Sequence, residues 1–147
     1  MTIPGFDAAG NLPPGAHRVT LREIEERFTW NRRRKRLFRG LAEASENLSS
    51  AGVRKIWVNG SFITSKNEPE DIDGCWEYKQ SVDVNKLDTV FLDINPPRKA
   101  MKDKYGVDFL ISTVTLTDAK GKNVLDFFQV DRNGNRKGIL VVEIGER

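Results

Sequence analysis

Two aspartates two residues apart, Asp71 and Asp73, carry the clearest chemical signal in the sequence, at the end of the run Gly60-Ser-Phe-Ile-Thr-Ser-Lys-Asn-Glu-Pro-Glu-Asp71-Ile-Asp73. On an extended strand alternate residues share a face, so both carboxylates project together while Ile72 turns to the opposite side. At about 6 Å two such charges repel by roughly 3 kcal/mol at an effective dielectric near 20. A fold either separates them or supplies a cation, and hard divalent ions such as Mg²⁺ take carboxylate oxygens together with substrate phosphates. Upstream, Gly60-Ser61 stands where a strand turns. A glycine lets the backbone approach a ligand closely, and a serine beside free amides binds a phosphate oxygen. Lys66 lies in the intervening loop, where its ammonium either meets an anion or stands solvated. Taken singly, Asp-x-Asp is often a solvated strand end and Gly-Ser a common loop dipeptide. The order strand, Gly-Ser, short loop, strand with Asp-x-Asp is far more specific.

Composition narrows the chemistry further. The chain has 147 residues, 24 Lys+Arg against 21 Asp+Glu, and a net charge of +3. That length predicts one domain spanning 1–147. With 38% hydrophobic and 9% aromatic residues it has enough apolar material for an ordinary core. A single cysteine, Cys75, excludes an internal disulfide and a Cys-rich zinc site, and the lone His17 excludes a histidine cage and disfavours a Ser-His-Asp triad. No apolar run approaches the roughly 20 residues of a membrane span. The opening MTIPGFDAAG lacks the basic start and apolar stretch of a signal peptide. The expectation is a soluble cytoplasmic protein without a membrane partner, whose chemistry runs on carboxylates, lysines and arginines.

The elements that must position these residues follow from periodicity and punctuation. Residues 1–18 read as an irregular arm broken by Gly5, Gly10, Pro13, Pro14 and Gly15. Thr20-Leu-Arg-Glu23 is a capping box opening a helix from Leu21 to about Phe28. Asn31 caps a second helix to about Ser50, with Leu37, Leu41, Ala44 and Leu48 as its buried stripe and Gly52 just beyond its end. Strands are expected over Val53–Ser61, Asp71–Tyr78 and Val107–Leu116. A short helix is predicted from Asp83 or Val84 to Phe91, and another from Pro97 through Tyr105, stopped by Gly106. Val124–Val130 and Gly138–Ile144 flank Asn133-Gly134, a strong hairpin signal. The fold class is α+β: a mixed sheet, helices mainly on one face, and a C-terminal β-hairpin.

The Gly-Ser and Asp-x-Asp pair resembles the signature of the DNA polymerase β-like nucleotidyltransferase superfamily, with nine residues between Ser61 and Asp71. The wider chain resembles a family of small bacterial nucleotidyltransferase-like proteins through Asn11-Leu-Pro-Pro-Gly15, Gly60-Ser-Phe-Ile-Thr-Ser-Lys66 with Pro69, and Phe127-Phe-Gln-Val-Asp-Arg132 with Lys137-Gly138. The resemblance implies a nucleotidyltransferase-like fold and transfer of a nucleoside monophosphate from an NTP to an acceptor. Asp71 and Asp73 would hold two Mg²⁺ ions bridging the triphosphate, and Gly60 and Ser61 would bind its β- and γ-phosphates. A third carboxylate is expected on a later strand. Asp108, a polar residue entering an apolar strand, is the first choice, Asp93 the competitor and Asp126 the weaker third. Such a site needs no histidine, because two metals clamp the attacking and leaving oxygens. Two departures stand out: the Ser-to-Asp spacing is slightly short, and Gly74 occupies a place where the superfamily usually carries an apolar residue.

Arg32-Arg-Arg-Lys-Arg36 places positive charge at a helix N-terminus, against the macrodipole. Its ordinary reading is a solvated or salt-bridged face, its sharper one an anionic partner. Arg98, Lys99, Lys102 and Lys104 read as a wet helix face. Trp57, Trp76 and Cys75 read as core, and His17 is assigned no role. A nucleotidyltransferase core of this size leaves no acceptor-binding domain, so the acceptor is expected to be a partner protein or an RNA. Small superfamily members include antitoxins that nucleotidylate a toxin and toxins that modify tRNA, which suggests a toxin–antitoxin or phage-defence setting. The alternative is a catalytically silent module of the same fold that acts by binding a partner protein. A sequence-specific DNA binder is the weakest reading, for want of a helix-turn-helix pattern. A homo-oligomer is compatible with the arm and hairpin.

Overall fold

The computed structural model describes residues 3–113, 128–130 and 133–145. Five strands form one mixed sheet in the order β1-β5-β2-β3-β4: β1 (Gly15–Val19), β2 (Lys55–Asn59), β3 (Ile72–Trp76), β4 (Val107–Ile111) and β5 (Gly138–Glu143). The outer pairs β1–β5 and β3–β4 are parallel, and the inner pairs β5–β2 and β2–β3 are antiparallel. Three α-helices accompany them: α1 (Leu21–Phe28), α2 (Arg32–Ser50) and α3 (Lys99–Tyr105). The architecture is α+β, as the periodicities predict.

The two faces of the sheet differ. Ile56, Val58, Ile72, Trp76, Val107, Phe109, Leu140 and Val142 point into the larger core, which also receives Ile24, Phe28, Leu37, Leu41, Leu48, Met101 and Tyr105 from all three helices. Their alternating neighbours Trp57, Cys75, Leu110 and Ile139 form a smaller apolar cluster on the opposite face. Trp57, Trp76 and Cys75 are buried, as expected of core residues. Burial pushes the Cys75 thiol up to about 12, so it is inert at neutral pH.

Local signals set the helix ends. The Thr20 hydroxyl accepts from the Glu23 N–H while the Glu23 carboxylate accepts from the Thr20 N–H, a complete capping box. Asn31 caps α2 by accepting from the Arg34 N–H at 2.9 Å. Gly40 lies on the face of α2 that meets α3, where an added Cβ would collide with the Tyr105 carbonyl.

Four expectations need correction. The arm over 1–18 is not wholly irregular: Gly15–Val19 is a strand parallel to β5, and Leu12 is buried. Its partner lies over a hundred residues away, so no local pattern announces it. The helix expected from Asp83 or Val84 to Phe91 is instead two short 3-10 turns, Val84–Lys86 and Thr89–Leu92. Asp83 and Asp88 each bond the N–H two residues on (3.0 and 3.2 Å), starting a separate turn at each aspartate. α3 begins at Lys99 rather than Pro97, because Arg98 has left-handed backbone angles (φ 54°) that a right-handed helix cannot include. Among the described residues the C-terminal hairpin shows its turn: Val130 bridges Arg136, Lys137 N–H donates to Gln129 O at 3.0 Å, and Gly134 has φ 83°. β5 itself is flanked by β1 and β2, so both its edges are already paired. Residues 124–127 of the predicted hairpin strand, and residues 114–116 of the predicted 107–116 strand, lie outside the described residues.

No helix among the described residues is long and apolar enough to cross a membrane.

Candidate functional site

Sheet register assembles the carboxylates. In the parallel β3–β4 ladder Asp73 stands directly beside Asp108, and Asp71, two residues earlier, projects to the same side as Asp73. One oxygen from each of Asp71, Asp73 and Asp108 lies within 4.8 Å of the others. By alternation with Cys75 and Leu110, Asp73 and Asp108 sit on the face opposite the large core. Asp93 is exposed, accepts from the Asn95 N–H in its own turn (3.3 Å), and is not part of the cluster. Asp126 lies outside the described residues.

The electrostatics are those of anions held too close together. Burial raises the Asp73 pKa to about 7, with the charges of Asp71 and Asp108 adding to the effect. Burial also raises Asp71, against the opposing charge of Lys102. On the far side of Asp73 in the sheet, Asn59 is its antiparallel register partner. Asn59 is 5% exposed, and its Oδ1 has no hydrogen-bond partner among the described residues. Three carboxylates with a buried, donor-less amide oxygen next to Asp73 offer oxygen ligands of the kind a hard divalent cation takes.

Gly60 and Ser61 meet this cluster at the end of β2. Gly60 has φ 79°, and a Cβ added there would lie 2.9 Å from the Asp73 Cβ and collide with its Oδ2. Only glycine permits that close approach of the turn to the carboxylate. Ser61 then starts a single 3-10 turn, Ser61–Ile63. Lys66 is exposed on the loop, and its backbone carbonyl, rather than its ammonium, has a defined partner in Arg34. Gly74 also has a local reason: an added Cβ would lie 2.6 Å from the Phe109 ring, so that ring fills the space an apolar side chain would take.

Four contributors escape the sequence reading. Arg34, expected on a solvated basic face, is fully buried. Its guanidinium donates to the carbonyls of Phe28 (3.1 Å), Phe62 (2.6 Å), Thr64 (2.9 Å), Ser61 (3.4 Å) and Lys66, tying the loop after Gly60 to the start of α2. Burial lowers its pKa to about 10, which leaves it charged at neutral pH. The signal was available, since Arg34 precedes Leu37, Leu41 and Leu48 at helical spacing and so falls on the buried stripe. Asn59 shares strand parity with Trp57, a weaker hint. Arg98, expected on a wet face, donates from Nε to Asp108 Oδ1 (2.5 Å) and from Nη2 to Oδ2 (3.3 Å). Lys102 Nζ lies 3.7 Å from Asp108 and 4.0 Å from Asp71, so this part of α3 faces the acidic cluster. Lys99 and Lys104 do pair outward, with Asp103 and Asp88. His17 bonds the Pro13 carbonyl at 2.7 Å, a structural contact.

Neither the curated proteins nor the solved structures contain a match to this chain. A family model does match, over residues 4–143, and it takes in the whole of the sheet and the acidic cluster. The chain belongs to that family, whose description is Family of unknown function (DUF6932).

Proposed function

We propose that this protein is a Mg²⁺-dependent nucleotidyltransferase that moves a nucleoside monophosphate from an NTP to a macromolecular acceptor, a partner protein or an RNA. The observation that carries the reading is the convergence of Asp71, Asp73 and Asp108 beside the Gly60-Ser61 turn. Its further support is the resemblance of Gly-Ser and Asp-x-Asp to the polymerase β-like signature, on a mixed sheet with helices on one face. Bound Mg²⁺ would supply charge neutralisation for an in-line displacement at phosphorus. Asp71 and Asp73 are the residues to hold it, with Asn59 lending a buried acceptor to the same row. Gly60 lets the turn close directly onto the Asp73 carboxylate, and Ser61, the next residue, would offer its hydroxyl and backbone to a phosphate there. Asp108 is the group to take the proton of the acceptor hydroxyl. Lys66, exposed on the loop that Arg34 anchors, would offer its ammonium to the triphosphate. A toxin–antitoxin or phage-defence setting is compatible with this chemistry and with the size of the chain.

The experiment is incubation with each labelled NTP, Mg²⁺ and a cell lysate, tracking label into protein or RNA. Transfer that disappears in Asp71→Asn supports the reading. Label transfer that persists undiminished in Asp71→Asn contradicts it.

A second reading has its own observation. The bidentate Arg98–Asp108 pair gives the carboxylates an internal cation, as a silent binding module would. In that case Asp71→Asn and Asp73→Asn would retain the biological effect of the protein. Loss of the effect with fold and partner binding intact rejects the module.

A further inference from the structure

The geometry points to Arg98 as a latch on the acidic cluster: its guanidinium engages both oxygens of Asp108 and must leave before a divalent cation can bind all three carboxylates. This inference rests on reading Asp71, Asp73 and Asp108 as a cation site.

Arg98 uses both oxygens of Asp108, Oδ1 through Nε at 2.5 Å and Oδ2 through Nη2 at 3.3 Å. A carboxylate engaged side-on by a guanidinium fork has its best acceptor directions filled. The two partners are shielded, with side-chain exposures of 18% and 14%. A divalent ion near Asp71 and Asp73 would therefore face a fixed positive charge across a cluster only 4.8 Å wide. The Oδ1 of the nearly buried Asn59, next to Asp73 in the sheet, has no donor among the described residues and is an independent sign that this end of the cluster is built to meet a cation or its bound water.

The backbone is set for release. Arg98 is the one non-glycine residue with positive φ among the described residues, and it stands at the junction between an exposed segment and α3. Residues 92–97 before it are all exposed, including Leu92 and Ile94, so the segment can shift without opening the core. The third donor of Arg98, Nη1, reaches only the Ile94 carbonyl of that same segment, at 3.4 Å. Backbone outliers of this kind are held by the surrounding structure and gather at clamps and switches. Lys102 lies farther from the carboxylates, at 3.7 and 4.0 Å, and has one point of charge rather than a fork, so it neutralises the cluster without filling Asp108. A released guanidinium remains within side-chain reach of the site, where its preferred partner is a phosphate.

The test is Mn²⁺ binding, followed by the electron paramagnetic resonance of the free ion, in wild type and Arg98→Gln. The latch predicts that Arg98→Gln binds Mn²⁺ tighter by roughly tenfold or more, the scale of a lost charge-assisted hydrogen bond. Arg98→Lys should fall between the two. Equal or weaker Mn²⁺ affinity in a folded Arg98→Gln overturns the latch and leaves the cation site standing. Absence of Mn²⁺ binding in both proteins overturns the cation site and the latch together. Should Arg98→Gln fail to fold, the wild-type protein answers alone. With ¹⁵N-labelled arginine, the Arg98 Nε–H signal should leave its ion-paired position as Mg²⁺ saturates, and a signal unmoved at saturation overturns the latch.

Discussion

Gly60 shows how much of this site depends on one atom that is missing. Its backbone (φ 79°, ψ −165°) and its contact with Asp73 mean that Gly60→Ala suffers twice, through strain of about 1–3 kcal/mol in a conformation that essentially only glycine adopts and through displacement of the carboxylate. Thermal melts should show a lower midpoint for Gly60→Ala, and metal titration should show weakened binding. Asp73 itself makes a pH prediction. Burial and the neighbouring carboxylates raise its pKa to about 7, above the 3.8 of an unfolded aspartate. Between those values the native state holds a proton that the unfolded chain does not, so stability falls as pH rises through this window. In chelator, the melting temperature should rise as pH is lowered from 8 to 5, and Asp73→Asn should lose that part of the rise. Mg²⁺ should work in the opposite direction, because a cation favours the ionised carboxylate. At this scale the sequence was highly legible where the chemistry is local. Asp71 and Asp73 share a face by strand parity alone, and Asp108 stands out as a charge in an apolar run. Asn59, Arg98 and Lys102 escape because their roles come from partners that no local pattern links to them, Asp73 across a strand pair, Asp108 across a helix–strand junction and Asp71 just ahead of β3.

The element that makes the site a fixed structure is the loop from Gly60 to Pro69, and its anchor is α2. Arg34 and Arg33 hold it from one helix, Arg34 through the four carbonyls of Ser61, Phe62, Thr64 and Lys66, with a fifth bond to Phe28 at the end of α1, and Arg33 through those of Pro69 (2.9 Å) and, just past it, Glu70 (2.9 Å). Arg34→Leu leaves buried carbonyl oxygens without donors, so a loss of about 3 kcal/mol or more is expected in chemical denaturation. Arg34→Lys should recover little, since an ammonium cannot span the same set of acceptors. Amide exchange should quicken over residues 61–66 in both variants. Helix α2 itself was plain in the sequence from its cap and stripe. Charge type assigns the basic run at its start to a wet face, whereas helical spacing puts Arg34 among the leucines. The turns after Asp83 and Asp88 follow a related rule: apolar content suggests a helix, while the two aspartates dictate separate caps.

Across the whole molecule, the mixed order of strands places the acidic cluster toward one side of the sheet and closes the other side with the N-terminal strand. β1 covers the edge of β5, with Gly138 N–H bonded to the Leu12 carbonyl at 3.0 Å and Val19 buried against the core. Deleting residues 1–19 would bare the β5 edge, whose sequence Gly-Ile-Leu-Val-Val-Glu is strongly apolar. Light scattering should then report self-association absent from the intact chain. This strand was invisible beforehand because a parallel pairing across more than a hundred residues leaves no local period. The α+β class, by contrast, followed from the alternation of strand and helix signals. The central claim concerns what the assembled sheet binds. The most direct measurement is calorimetric titration of non-hydrolysable analogues of each NTP into the protein with and without Mg²⁺, repeated with Asp73→Asn. Saturable binding of at least one nucleotide that requires Mg²⁺ and is lost in Asp73→Asn is the predicted result. Binding of none of the four, or binding indifferent to Mg²⁺ and to Asp73, would contradict it.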